Sequence, residues 1–350
     1  MKPRLPVRKA ILERRTYEAP AEGRWGKVRL DFNENTTGCS QAALAALHRL
    51  SNKQLAMYPE YEESTKVIAQ YFAVKPSELL LTNGGDDALR VFFDTFVEPS
   101  SHILICEPTF PMYRYYAEIA GARVQPLRYS AEMEFPLGPA IRALRKRPRV
   151  FFLANPNNPS GTLVSKAAIQ KLLRAATHTV FVLDEAYADF SGLSGVPWIG
   201  RHPNLFITKT FSKAAGLAGL RLGAVIAKRE SLELVRRAMP PFPVNSAALA
   251  AAVAAIRERR TIERYIRNTK RQRDWFTREL RNRGVRVFPS ACNFVLADFG
   301  VQGKALFPQL TKKGILIRDR SKDLGTGYAR ITIGTPSELK ALLRILDRSR

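Results

Sequence analysis

Seven short apolar runs punctuate the chain between residues 78 and 227, and most are continuous rather than alternating in polarity. They are Glu78–Thr82 (ELLLT), His102–Cys106 (HILIC), Ala122–Leu127 (ARVQPL), Val150–Ala154 (VFFLA), Val180–Asp184 (VFVLD), Leu205–Lys209 (LFITK) and Leu222–Ala227 (LGAVIA). A strand buried on one face alternates apolar with polar residues, so a run that is apolar at every position needs cover on both faces. Stretches with helical spacing lie between the runs, at Asp86–Phe96, Met112–Ala120, Lys166–Ala176 and Glu230–Met239. That rhythm predicts an α/β fold with a largely parallel sheet covered by helices. The pattern breaks at Pro240–Pro243 (PPFP). Beyond it, helical stretches at Ser246–Arg257 and Ile262–Arg283, strands at Asn293–Ala297, Gly314–Arg318 and Ala329–Ile333, and a last helix from Pro336 read as a smaller α+β unit.

At 350 residues the chain is long enough for two domains, and 45% hydrophobic with 25% charged residues argues against wholesale disorder. Cys39, Cys106 and Cys292 show no CxxC spacing, which supports neither a disulfide scaffold nor a zinc site. No stretch approaches the length of an apolar membrane span, and the basic start MKPRLPVRKAILERR lacks the apolar core of a secretory signal. The expectation is a reducing, cytoplasmic setting without a membrane partner. The charge is unusual: 56 Lys and Arg against 31 Asp and Glu leave +25, with a pI near 10.4. Such a field favours anions of any kind, from phosphorylated metabolites to nucleic acid. Eleven of the cations lie between Arg257 and Arg283 beside four acids, among apolar residues at helical spacing (Ile262, Tyr265, Ile266, Trp275, Phe276, Leu280). The plain reading is a long amphipathic helix with a solvated basic face. No recognised nucleic-acid motif accompanies it, so nucleic acid is not expected as a partner.

In an open α/β sheet, ligands sit beyond the carboxyl ends of the strands, and here those ends are followed by unusual polar phrases. After ELLLT, Asn83-Gly84-Gly85-Asp86-Asp87 opens a helix whose free N–H groups suit a phosphate, although turns favour glycine in any case. After HILIC, Phe110 and Tyr113 either offer an aromatic face to a planar ligand or pack beside the prolines around them. After VFFLA, Asn155-Pro156-Asn157-Asn158-Pro159-Ser160-Gly161 forms a rigid loop aiming an amide above the sheet. Asp184, ending VFVLD with Tyr187 three residues on, places a carboxylate where burial is costly unless a cation meets it or the acid reaches solvent. After LFITK, Thr210-Phe211-Ser212-Lys213-Ala214-Ala215-Gly216 sets a lysine among hydroxyls and small residues, with Arg221 eight positions on. A lysine used as a nucleophile forms Schiff bases with carbonyls, and pyridoxal phosphate is the commonest such cofactor. One ligand accounts for all these groups. Pyridoxal 5′-phosphate has a phosphate for Gly85, Asp86, Thr210, Ser212 and Arg221, and an aldehyde for Lys213. It also has a ring nitrogen for Asp184, a phenolic oxygen for Asn158 and Tyr187, and a flat face for Phe110.

With these phrases together the sequence resembles the fold-type I pyridoxal-phosphate aminotransferases and, within them, the histidinol-phosphate aminotransferases. The likeness extends to DFNENTTG, MYPEYE, NGGDDAL, PTFPMY, NPNNPSG, VLDEAYADF, TKTFSKAAGLAGLRLG, NFVLADF and GILIRDR…YARITIGTP, and so covers nearly the whole chain. The resemblance implies a seven-stranded, mainly parallel sheet in a large cofactor domain at 36–240. It also implies a small domain at 241–350 joined by an N-terminal arm at 1–35, and a homodimer with its active sites at the subunit boundary. It implies that Lys213 is the Schiff-base lysine and proton shuttle, that Asp184 keeps the ring nitrogen protonated, and that Asn158 and Tyr187 bond the phenolic oxygen. Thr210, Ser212, Arg221 and the Gly85–Asp86 amides would bind the cofactor phosphate, which Tyr58 would reach from the other subunit. Arg330 would bind the substrate carboxylate and Arg318 the substrate phosphate, with Tyr17 and Asn33 also on the substrate side. The implied reaction is ping-pong transamination between glutamate and imidazole acetol phosphate, forming 2-oxoglutarate and histidinol phosphate. Aromatic amino acid transamination and threonine-phosphate decarboxylation are the alternatives. The chain departs from the family's commoner phrases at NENTTG (for NENPYG), at Gly85 and at Phe110, two positions where a hydroxyl-bearing residue is usual. The resemblance also bears on the +25 charge: DNA-binding regulators of this fold carry an added N-terminal domain, for which no room is expected here.

Overall fold

A computed structural model describes residues 5–12 and 22–349. The short strand β1 (Val28–Leu30) precedes a seven-stranded sheet made of β2 (Leu79–Thr82), β3 (His102–Glu107), β4 (Arg123–Arg128), β5 (Val150–Ala154), β6 (Val180–Asp184), β7 (Leu205–Thr210) and β8 (Gly223–Ile226). All seven sequence-predicted runs are therefore strands, displaced by no more than a residue or two at their ends. Across the sheet the order is β2-β8-β7-β6-β5-β3-β4. Pairing is parallel throughout except at β8, which runs antiparallel to both of its neighbours.

The continuous apolar runs follow from cover on both faces. Phe151, Leu153, Phe181, Leu183, Leu205 and Ile207 point into one hydrophobic cluster, while Val150, Phe152, Val182 and Phe206 point into a second on the opposite face. Each layer thus takes alternate residues of the same strands. Truncating a buried aromatic such as Phe152 to alanine is expected to cost about 3–5 kcal/mol.

Strands β9 (Arg286–Val287), β10 (Phe294–Asp298), β11 (Ile315–Asp319) and β12 (Tyr328–Thr332) join β1 in a five-stranded sheet ordered β1-β11-β12-β10-β9. Its core, which includes Leu30, Val295, Ile331 and Leu342, is separate from those of the larger sheet. The N-terminal segment joins this sheet through β1, which pairs in parallel with β11. The helix Ser246–Arg257 corrects one sequence expectation. Placed with the smaller unit from 241 onward, it instead buries Ala248, Leu249, Ala252 and Ala255 in the larger sheet's core. Its alanine-rich face lies flat against neighbouring helices, a preference that local periodicity does not reveal. The basic segment forms one helix, Arg259–Asn282, joining the two units. Among the described residues no helix is long and apolar enough to cross a membrane.

Candidate active site

The carboxyl ends of the parallel strands open on one cavity of about 350 Å³, within the range of small-ligand sites. Gly85, Asp86, Phe110, Asn158, Asp184, Tyr187, Thr210, Ser212, Lys213 and Arg221 all line it. It continues into a second cleft of about 690 Å³, where Lys213, Asn158 and Tyr187 meet Arg318 and Arg330 of the small sheet.

At the anion end, the helix Gly84–Phe96 begins directly after β2. Its first turn directs unpaired N–H groups and the positive end of the helix dipole into the cavity. Gly84 has φ +80°, a conformation that calls for glycine, and a Cβ there would lie 2.6 Å from Arg221 Nη2 and push the guanidinium aside. Arg221 itself adopts the left-handed conformation, φ 55°, which turns its guanidinium over the helix start. There Nη2 meets Asp86 Oδ2 at 3.2 Å. Thr210 Oγ1 accepts from the Ser212 backbone N–H at 3.1 Å, fixing the hydroxyl turn that leads into Lys213.

At the opposite end Asp184 is half-buried, with three donors. Tyr113 Oη donates to Oδ2 at 2.6 Å, while Thr208 Oγ1 and the Ala186 N–H donate to Oδ1 at 2.9 and 3.0 Å. Burial pushes the carboxyl above its ordinary range despite these bonds. No cationic side chain bonds to it among the described residues, and a protonated ring nitrogen is the partner that would favour the carboxylate. Tyr113 therefore acts through its hydroxyl as well as its ring, which packs edge-on to Phe110 with centroids 5.9 Å apart. Thr208 escaped the sequence reading because its role depends on lying opposite Asp184 in the β6–β7 register.

Lys213 donates to the Phe32 carbonyl at 3.0 Å and lies 5.7 Å from the Tyr187 ring centre. Burial foremost, then Arg330, lowers its amine to about 8. At pH 7.5 about a quarter of such amines are neutral and able to attack a carbonyl, far more than for an ordinary lysine. The Phe32 acceptor is set by the segment 31–34, which Arg24 clamps through Asp31 and Glu34, each at 2.7 Å. In that segment Asn33 takes φ 56° and donates to Tyr187 Oη at 2.9 Å. Burial raises the Tyr187 hydroxyl to about 12.

On the small-sheet side, Arg318 and Arg330 stand opposite each other in the β11–β12 register. Like charges directly opposed on a sheet repel, which favours an anion between them. Arg330 is buried, donates to Asn158 Oδ1 at 2.7 Å and to the Asp31 carbonyl, and its Nε has no partner among the described residues. Burial lowers its guanidinium to about 10. The bond to Asn158 joins two residues that the sequence reading assigned to different ligands. Tyr58 lies away from the cavity, exposed and stacked on Phe242 with ring centres 4.3 Å apart. Tyr17 falls outside the described residues.

Comparison with known proteins agrees with this arrangement. The chain matches the model of the aminotransferase class I and II family over residues 26–346. It is 32% identical over 328 residues to a histidinol-phosphate aminotransferase of Geobacillus sp., covering 92% of this chain and 89% of the relative. Among solved structures, the histidinol-phosphate aminotransferase of Sinorhizobium meliloti in complex with pyridoxal-5′-phosphate has the same fold. Its TM-score is 0.84 at 24% identity, over 92% of this chain and 90% of that one. The L-threonine-O-3-phosphate decarboxylase of Porphyromonas gingivalis superposes with a TM-score of 0.79 at 26% identity, over 92% and 98% of the two chains. With the match running through both sheets and the cavity between them, the chain belongs to the class I and II aminotransferases, and pyridoxal 5′-phosphate is its cofactor.

Proposed function

We propose that the chain is a transaminase that exchanges an amino group between glutamate and a phosphorylated amino alcohol, histidinol phosphate with its keto form imidazole acetol phosphate. The observation that supports this substrate pair is the Arg318–Arg330 juxtaposition at the cavity mouth. Guanidinium forks bind carboxylate and phosphate alike, so one cleft can take both anions in turn.

The residues suit the cofactor: a helix start with Arg221 for its phosphate, a lysine amine of lowered proton affinity, and a half-buried carboxylate that bonds no cationic side chain among the described residues. When bound, pyridoxal 5′-phosphate supplies an aldehyde that condenses with amines and a ring that accepts the electron pair left at Cα. Gly85, Asp86, Thr210, Ser212 and Arg221 bind and orient the phosphate. Asp184, held by Tyr113 and Thr208, keeps a proton on the ring nitrogen. Asn158 and Tyr187 hydrogen-bond the phenolic oxygen, and Asn33 fixes the direction of the tyrosine hydroxyl. Phe110 covers one face of the ring. Lys213 would move the proton between the substrate's Cα and the cofactor's aldehyde carbon (C4′), on either side of the amino nitrogen. Arg330 grips the carboxylate of the amino acid and Arg318 the phosphate of the other substrate. The exposed Tyr58 suits a homodimer in which it completes the partner's phosphate site.

A half-reaction panel tests the reading. Glutamate and histidinol phosphate, added singly to the loaded enzyme, are expected to convert the cofactor to its amine form, seen as loss of its visible absorbance. Failure of both while aromatic amino acids succeed would replace the substrate. The likeness to the threonine-phosphate decarboxylase keeps one second reading open, and release of carbon dioxide from threonine phosphate would favour it.

A further inference from the structure

The catalytic reading leaves the basic helix Arg259–Asn282 without a role. At 100° per residue its buried edge is Ile262, Tyr265, Thr269, Phe276 and Leu280. Opposite that edge, Arg260, Arg264, Arg267, Arg271, Arg278 and Arg281 follow one line, and all six are exposed. Asp274 alone interrupts the line, whose spacing alternates four and three residues over about 32 Å. The sequence predicted a solvated basic face on this helix, and the fold places six of the arginines along one line of it.

Little on this face is neutralised. Arg267 meets Glu263 only at 4.0 Å, Arg271 bonds Asn268, and Arg281 bonds the Val287 carbonyl. Arg260, Arg264 and Arg278 form no ion pair among the described residues. Like charges at these spacings weaken a helix, so the line does not serve helix stability. None of the six lines the active-site cavity or its mouth. We propose that the outer face of this helix binds the phosphodiester backbone of nucleic acid without base specificity. This departs from the expectation drawn from sequence, and it is independent of the transaminase reading.

Three features favour that partner. All six cations are arginine, whose planar fork grips phosphate oxygens in pairs. About 32 Å is close to one turn of a duplex, so the line can lie along a groove and reach phosphates of both flanking strands, and a flexible single strand can follow it directly. The helix's apolar face is locked into the protein core, so it has no insertable face with which to lie in a lipid surface.

The test uses the cofactor-loaded enzyme and fluorescence anisotropy, with a labelled 20-base-pair DNA duplex and a labelled 20-nucleotide single-stranded RNA. Counterion release gives an expected slope of log K against log salt of about −4 to −5, so affinity falls about 250- to 1,000-fold between 50 and 200 mM. The quadruple variant R260Q/R264Q/R271Q/R278Q keeps good helix formers on the face. It is expected to flatten that slope by about 3 units, to lose at least about tenfold in affinity at 50 mM, and to transaminate normally. The control R123Q/R142Q/K171Q/K304Q removes the same charge from scattered exposed sites, and it is expected to change the slope by less than about 1 unit. Whichever nucleic acid binds more tightly identifies the source. The proposal is overturned by absence of binding to both, by an equal loss in the scattered control, or by tighter binding to phosphatidylserine vesicles than to either nucleic acid.

Discussion

On the large-sheet side of the active-site cleft, polar groups are held by the protein itself. Asp184 accepts three hydrogen bonds, Tyr187 is oriented by Asn33, and Thr210 anchors the turn that presents Lys213. On the small-sheet side, Arg318 and Arg330 oppose each other across two strands, and the buried Nε of Arg330 is unbonded among the described residues. The first arrangement suits a resident ligand, because fixed partners remove the cost of reorganising at each turnover. The second suits ligands that come and go, because charge left uncompensated in the protein is satisfied only when an anion enters.

Breaking the resident side has the largest expected consequences. Lys213→Ala is expected to lower turnover by about 10,000-fold and to remove the visible absorbance of the bound aldehyde. Retention of either within tenfold of wild type would separate Lys213 from the chemistry. Asp184→Asn is expected to lower turnover by about 100- to 1,000-fold, and Thr208→Val, which removes one of three donors, by less than about tenfold. Steady-state rates on the same substrate pair order the two, and comparable losses would mean that the hydrogen bonds rather than the carboxylate matter.

Changes on the substrate side should move KM more than kcat. Arg318→Ala is expected to raise KM for the phosphorylated substrate by about 10- to 100-fold with little change for glutamate, and Arg330→Ala the reverse. Equal effects of either variant on both substrates would dissolve the division between the arginines.

The smallest effect is a pH dependence of stability. Lys213 binds its proton more weakly in the folded chain, near 8, than the ordinary 10.5. Between those values the unfolded chain holds more protons, so the stability of cofactor-free protein should rise with pH from about 8 to about 10.5. Below pH 8 the penalty for the buried charge is fully present. Denaturant midpoints across this range should show the rise in wild type and its absence in Lys213→Met.

Much of this molecule was legible from its residues. The continuous runs ending at Ala154 and Asp184 demanded a doubly covered sheet, and the polar phrases after those runs supplied the groups that the cavity collects. Less was legible where elements are short or packing is nonlocal. Strands β1 and β9 have three and two residues, too few to show a period. The helices Gln41–His48, Glu62–Tyr71 and Leu137–Leu144 were not singled out from sequence, although Leu137, Ala140, Ile141 and Leu144 recur at helical spacing and Ser40 is suited to an N-cap.

What the sequence determined by itself was the kind of chemistry at each strand end, because residue type and spacing along one strand are local properties. Only the tertiary structure decided which of those ends meet. The bonds from Arg330 to Asn158 and from Lys213 to the Phe32 carbonyl span 172 and 181 positions, and Asp184 finds Thr208 only through the register of two strands. Such contacts depend on chain closure and sheet pairing, whose energies are shared by the whole core rather than written in any one segment.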